Sequence, residues 1–328
     1  MIKDLGDDLR AKLKNKELFT KFKKKLKRVT YNEHSEQPSH LPENYKLYVK
    51  PTQEVKYLKS QCTGRKRALL IGINYFHTQY ELKGCINDVK NIKKFLIDYC
   101  NFKESDITVL TDDQDDPSKK PTKEHMLEGM RALVADAQQH DSYFLHFSGH
   151  GGQRVDLDGD EADGYDETIM PLDFKTNGEI IDDEMHNILV DGLPAGCRLT
   201  VVFDSCHSGT VLDLPYVYST HGKVKESKLS SSFEDKRIRR KNLETKSSPA
   251  DVIMFSGCKD EQTSADASEN GAATGAMSHA LITTLKHDST QTYQSLLNNI
   301  RDFLRDRYSQ KPQLSASHPM DMNEVFKI

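Results

Sequence analysis

No apolar run in this chain approaches the roughly 18 residues that a membrane span needs, and the basic N-terminus is not followed by the apolar core of a secretion signal. The cysteines are few and scattered: Cys62, Cys85, Cys100, Cys197, Cys206 and Cys258 form no CxxC pair and no dense disulfide framework, which points to reduced thiols. An excess of one charge is also missing. The 46 Lys and Arg stand against 50 Asp and Glu, and a net charge of -4 gives no global case for nucleic acid. There is no internal repeat. These absences leave a soluble intracellular protein as the expectation, cytoplasmic with the nucleus open to it.

What is present is globular, with 36% hydrophobic and 29% charged residues in 328, and the polarity is unevenly spread. Residues 1–28 carry eleven Lys and Arg against four acids, with Leu5, Leu9, Leu13, Phe22 and Leu26 spaced for one helical face. That segment reads as a solvated basic tail, or as an amphipathic helix for anionic lipid or a partner. Pro38, Pro42 and Pro51 then break a polar stretch, so residues 1–64 read as a basic linker or pro-region ahead of one globular domain at 65–328. Within that domain, 219–249 is a second polar and basic segment. It separates a larger part, 65–218, from a smaller one, 250–328.

From Arg67 onward, apolar strands alternate with helical patterns. Strands are expected at Arg67–Tyr75, Asp106–Thr111, Tyr143–Phe147, around Ile169, at Arg198–Asp204 and at Val252–Ser256. Helices are expected from Cys85 to Tyr99, Thr122 to Ala137, Asp182 to Val190, Gly275 to Leu285 and Thr292 to Tyr308. Such alternation predicts an α/β fold, a mostly parallel central sheet with helices on both faces.

Two of these strands end in chemistry. Tyr143–Phe147 runs into Ser148-Gly149-His150-Gly151-Gly152, and Arg198–Phe203 runs into Asp204-Ser205-Cys206-His207-Ser208-Gly209. Ligands of open α/β sheets bind at the carboxyl ends of strands. If the two strands are neighbours, His150 can take the proton of the Cys206 thiol, whose free pKa of about 8.5 leaves it mostly unreactive at neutral pH. Gly149, Gly151 and Gly209 would let backbone N–H groups approach an oxyanion. The histidine also precedes the cysteine by the spacing of about 50 residues found in caspase-like hydrolases.

Those two motifs together resemble the metacaspases, in particular the type I enzymes of fungi. Gly84-Cys85-Ile86-Asn87-Asp88 and Gln262-Thr263-Ser264-Ala265-Asp266 support the resemblance, which runs from about Gln61 to the C-terminus. It implies a caspase-like fold and a cysteine endopeptidase with His150 and Cys206 as the catalytic dyad, His207 being a bystander. It also implies that Cys85, Asp88, Ser148 and Asp204 line the primary specificity pocket. Two carboxylates there favour a guanidinium or ammonium, so cleavage should follow Arg or Lys, not Asp. Calcium is implied as an activator, outside the bond-breaking step, at Asp166, Asp182, Asp183 and Asp213.

The family further implies a monomer, protein substrates, self-processing of a zymogen, and a role in cell death or protein quality control. The basic residues of 219–249, Lys246 among them, are candidate self-cleavage sites, with a nuclear-localisation or phosphate-binding patch as the competing reading. Other readings are weaker. A catalytically idle scaffold for basic peptides or aggregates has no need of both His150 and Cys206. A zinc site from His146, His150, Cys206 and His207 would need four ligands converging from positions that diverge. Asp156, Asp158, Asp160 and Glu167 imitate an EF-hand loop, but Glu161 stands where glycine is required.

Overall fold

The computed structural model describes residues 57–156, 164–205, 211–218, 242–257, 266–269, 272–305, 308 and 311–328. All belong to the second of two compact units, Thr52–Ile328. Residues 57–64, expected as the end of the linker, lie against this unit: Leu58 N–H donates to the Pro249 carbonyl, and Tyr57 stacks on His318 at 3.7 Å between ring centroids.

The central sheet uses β1 (Lys66–Gly72), β2 (Ile107–Thr111), β3 (Ser142–Ser148), β7 (Arg198–Asp204), β8 (Tyr216–Tyr218), β9 (Asp251–Ser256) and β12 (Gln313–Ala316). Their order is β2-β1-β3-β7-β9-β12-β8. The first five are mutually parallel, while β12 runs antiparallel to both β9 and β8. Two small sheets flank it, one of β4 (Gly151–Val155), β5 (Tyr165–Ile169) and β6 (Ile180–Ile181), the other of β10 (Asp266–Glu269) and β11 (Ala272–Gly275).

The parallel strands are continuous apolar runs because both faces are covered. Successive side chains point to opposite faces, so each strand feeds two cores. Leu69, Ile71, Leu145, Phe147, Val201 and Phe203 pack with Met126 and Met130 of α2 (Lys123–Val134) and with Met185 and Leu189 of α4 (Asp182–Leu189). Leu70, Phe144, Val202 and Phe255 face the other way. They meet Ile92 and Leu96 of α1 (Cys85–Cys100), Met277 and Leu281 of α5 (Ala276–His287), and Leu297 and Ile300 of α6 (Tyr293–Arg305).

The strands expected from apolar pattern are all present, and the sheet is mostly parallel. The pattern did not give β8 and β12, which have three and four residues and mix polar with apolar side chains. It also missed the hairpins β4–β5 and β10–β11. The small sheet turns the expected acidic loop into a strand connection: Asp156 follows β4 and Glu167 lies in β5, so no helix pair flanks it as in an EF-hand.

At the amino end of the sheet, Arg198 and Asp251 face each other in register on β7 and β9 and form a 2.8 Å ion pair with side chains only 2% and 3% exposed. Burial alone would push the Asp251 carboxyl up, but Arg198 and His318 hold it below its ordinary value. Ser60 N–H, before β1, and His318 Nε2, after β12, complete the carboxylate's partners. Both ends of the domain therefore close on one buried pair. Asp251→Ala would strand a buried guanidinium, and the expected loss is about 3–5 kcal/mol of unfolding free energy. Equilibrium denaturation measures it, and a loss under about 1 kcal/mol would mean that the pair is dispensable.

Candidate active site

The row Gly72–Ser148–Asp204 runs in register across β1, β3 and β7 at their carboxyl ends. His150 follows Ser148 by two residues and Cys206 follows Asp204 by two, so the polypeptide leaves paired positions on adjoining strands toward each of them. Cys206, His207 and the rest of 206–210 lie outside the described residues. What can be followed is the histidine. Its Nε2 sits 2.8 Å from the Tyr80 carbonyl. A carbonyl only accepts, so Nε2 carries the proton and Nδ1 is left as the basic nitrogen.

Tyr75 sets the ring's position. Its hydroxyl donates to the Met170 carbonyl at 2.6 Å and accepts from the His150 N–H at 3.0 Å, while its ring lies 4.9 Å from the imidazole. To do so Tyr75 adopts φ 52, a left-handed conformation disfavoured for a residue with a side chain. Gly149 makes room: a β-carbon there would lie 2.8 Å from Phe147 Cζ and 3.0 Å from Tyr75 Oη. Because the His150 N–H is engaged by Tyr75, an oxyanion must find its donors elsewhere in the glycine turns.

Two of the four expected pocket residues, Ser148 and Asp88, are bonded to each other, and a third, Asp204, is bonded to the segment that also holds Asp88. Ser148 Oγ donates to Asp88 Oδ2 at 2.8 Å, while Thr274 Oγ1 and the Gly275 N–H donate to Asp88 Oδ1 at 2.6 and 2.7 Å. The Ser278 N–H donates to Asp204 Oδ2 at 2.8 Å. Cys85 opens α1 one turn before Asp88 and is buried. Asp88 lies within the first turn of its own helix, where Gly84 is the N-cap; its carboxylate meets the N–H of Gly275, the N-cap of α5. The two carboxylates face each other across Gly275, where a β-carbon would overlap the Asp204 carboxyl group and lie 2.7 Å from Asp88 Oδ2. Burial, and then the charge of Asp204, push the Asp88 carboxyl up to about 8 against the pull of its three donors.

The second acidic group gathers around an ammonium. Lys246 Nζ donates to Asp213 Oδ2 at 2.9 Å and to Asp183 Oδ1, with the lysine side chain only 11% exposed. Asp182 accepts the N–H groups of Glu167 and Asp183, and burial followed by the charge of Asp213 pushes its carboxyl up to about 9. Asp166 lies buried on β5, next to Glu167. The oxygen donors and the concentration of negative charge suit a hard cation. As they stand, no group of three acidic, histidine or cysteine side chains among the described residues is arranged to hold a metal.

Tyr75, Tyr80, Thr274 and Ser278 were not singled out from sequence. Tyr80 contributes a backbone oxygen, which no residue type announces. His146, weighed as a zinc ligand, is buried with Nε2 2.9 Å from Ser278 Oγ, and burial holds it neutral with a pKa of about 3.

Residues 66–215 match the family model described as "Metacaspase, peptidase C14 domain". The chain is 51% identical over 300 residues to Metacaspase-1 of Pyricularia oryzae, covering 82% of this chain and 76% of that protein. It is 52% identical over 298 residues to Metacaspase-1B of Neurospora crassa, covering 81% and 70%. Among solved structures, a protein of Geobacter sulfurreducens superposes with a TM-score of 0.54 at 26% identity, covering 80% of this chain and 98% of that one.

The raised Asp88 carboxyl has a thermodynamic consequence. Between the unfolded value of 3.8 and about 8, the folded chain holds a proton that the unfolded chain has released, so this group's contribution to stability falls as pH rises through that window. Asp88→Asn keeps an acceptor for Thr274 and Gly275 and removes the charge. Its melting temperature should exceed wild type at pH 8, by about 2–4 °C per kcal/mol relieved, and the difference should shrink toward pH 4. Equal midpoints across that range would contradict the burial of an ionisable group at this site.

Proposed function

The chain belongs to the metacaspase family, with the type I enzymes of fungi, and is a cysteine endopeptidase of caspase-like fold; on that footing we propose that it cuts peptide bonds after Arg or Lys, with Cys206 as nucleophile, His150 as base, Asp88 and Asp204 as receptors of the substrate cation, and calcium as activator. The observation that carries the reading is the β3–β7 register, which sets Ser148 beside Asp204, with His150 two residues after the first and Cys206 two residues after the second in sequence.

In this reading the Cys206 thiol gives its proton to His150 Nδ1, and the sulfur bonds to the carbonyl carbon of the scissile peptide. The tetrahedral adduct collapses by breaking the carbon–nitrogen bond, and the imidazolium returns the proton to the departing amine. Water then attacks the thioester with His150 again as base, releasing the acid and restoring the thiol. The Tyr80 carbonyl holds the Nε2 proton, so that the neutral ring presents Nδ1 as base each time the proton has been given back, while the Tyr75 ring packs beside it.

Substrate choice follows from charge. Among the described residues the donors to Asp88 are neutral (a hydroxyl, a second hydroxyl and a peptide N–H), so a substrate guanidinium or ammonium adds the cation those donors do not supply. Asp166, Asp182, Asp183 and Asp213 would hold calcium, which supplies positive charge beside the Val211–Leu214 segment that follows the nucleophile. Self-processing is proposed within 219–249. Lys246, the basic residue of that segment among the described residues, is held by Asp183 and Asp213, which leaves the others as cleavage candidates. A role in cell death or protein quality control is proposed with the family.

Fluorogenic peptides ending in Arg, Lys or Asp test the core of the proposal. Arginyl and lysyl peptides should turn over and aspartyl peptides should not. Cys206→Ala should abolish turnover, and Asp204→Ala should lower arginyl kcat/KM about a hundredfold or more, as loss of one partner of a buried charge pair does. Equal turnover of all three peptides would refute the pocket, and no turnover of any would leave the idle scaffold.

Calcium is tested separately by thermal unfolding. Binding to the folded state alone should add about 2.7 kcal/mol at a hundred times Kd, and Asp213→Asn should remove most of that gain. Full activity and an unchanged midpoint in chelator would end the calcium reading.

A further inference from the structure

Asp88 and Asp204 reach the pocket from different elements, the first turn of α1 and the end of β7, and neither element fixes the other's carboxyl group. One short segment touches both. Thr274 Oγ1 and the Gly275 N–H, at the end of β11, donate to Asp88 Oδ1 at 2.6 and 2.7 Å, while the Ser278 N–H, in the first turn of α5, donates to Asp204 Oδ2 at 2.8 Å. The first N–H groups of a helix have no partner within it and carry its positive end, so they are natural anchors for carboxylates.

The geometry points to residues 274–278 as the device that sets selectivity for a basic residue, with Thr274 as a positioning residue that aims the Asp88 carboxylate at the substrate cation. This rests on the pocket reading above and goes beyond it by naming what holds the receptors in place.

A carboxylate offers about four lone-pair sites. On Asp88, Oδ1 is filled by Thr274 and Gly275, and Oδ2 takes Ser148. In the ionised acid, with the donors of the described residues counted, one site remains, on Oδ2. That oxygen and the Asp204 carboxyl group both border the space that a β-carbon on Gly275 would fill, so the remaining acceptor is turned toward the second carboxylate. The two acids are thus close enough for one guanidinium, with its fork of donors, to bond to both. Without the Thr274 hydroxyl, the group can rotate, and a second lone pair on Oδ1 opens away from the substrate. Thr274 is 5% exposed, so water does not readily replace its donor.

Three forms of the full chain, wild type, Thr274→Val and Thr274→Ser, are compared on two peptides that differ only in having Arg or Gln before the cut bond. Valine is close to threonine in shape and removes only the donor. Arginyl kcat/KM of Thr274→Val should fall about tenfold, the size expected for a lost hydrogen bond to a charged group. Most of the fall should be in KM, while glutaminyl kcat/KM stays level and the arginyl-to-glutaminyl ratio drops with it. Thr274→Ser, which keeps the hydroxyl, should return the ratio to within about twofold of wild type. Melting curves identify any variant that is merely unfolded, and a general loss of structure would lower both peptides alike. An unchanged ratio in Thr274→Val overturns the assignment. A wild type that fails to prefer Arg over Gln removes the pocket reading, and this inference with it, and the two failures are told apart by the wild-type ratio alone.

Discussion

A carboxylate buried among neutral donors is the constraint on which this site depends. Asp88 is 1% exposed and bonded to two hydroxyls and one peptide N–H, and its ordinary ionisation is opposed by burial and by Asp204. Burying such a group without a positive partner costs stability unless a ligand supplies the charge. The fold meets the cost with position. Ser148 comes from the carboxyl end of β3 and Thr274 with Gly275 from the entry to α5, so three separate elements must be in place before the acid is satisfied. The second core, with Met277 and Leu281 of α5 against Phe144 and Val202 of the sheet, is what brings those elements together.

Much of this was legible in the sequence, for a definite reason. A strand buried on both faces has to be apolar throughout, so Tyr143–Phe147 and Arg198–Phe203 announce themselves, and the abrupt change to glycine, histidine and serine marks where each leaves the core. The adjacency of β3 and β7 was a condition that the sequence posed without deciding: β2 and β3 also follow one another into the central sheet, yet β1 lies between them. The edge of the sheet was not legible. β12 and β8 are short, and the polar–apolar alternation of Gln313-Leu314-Ser315-Ala316 spans only four residues, too few to separate it from a loop. Its antiparallel pairing with β9 comes from tertiary contacts of residues 57 positions or more apart in sequence, such as Ser256 with Gln313.

The same contrast holds inside the site. Acidic residues, histidine and cysteine draw attention by type. Thr274, Gly275 and Ser278 do not, because their contributions are a buried hydroxyl and two backbone N–H groups. Likewise His150 is oriented by the Tyr80 carbonyl, an atom every residue carries. Gly275 shows how such features could be read with a structure in mind. Its φ of -72 needs no glycine, so the reason for one lies in the carboxylates that fill its β-carbon position.

The two acidic clusters of the domain also explain each other. In each, burial and a neighbouring carboxylate push one aspartate toward the neutral form, Asp88 beside Asp204 and Asp182 beside Asp213. They differ in what neighbours them. Lys246 reaches Asp183 and Asp213 from the chain just before β9 and provides an ammonium of the protein's own, whereas the donors to Asp88 are all uncharged. A cluster with a resident cation is already stable in the free chain, and any metal entering it must compete with the lysine. A carboxylate served only by neutral donors gains more from an arriving cation, because the attraction is not offset by one already there. The difference in partners thus divides the labour between two sites of similar composition. Under the proposed function, the cluster beside Lys246 would serve exchange and regulation, and the one beside Thr274 would hold a charged side chain while the neighbouring peptide bond is cut.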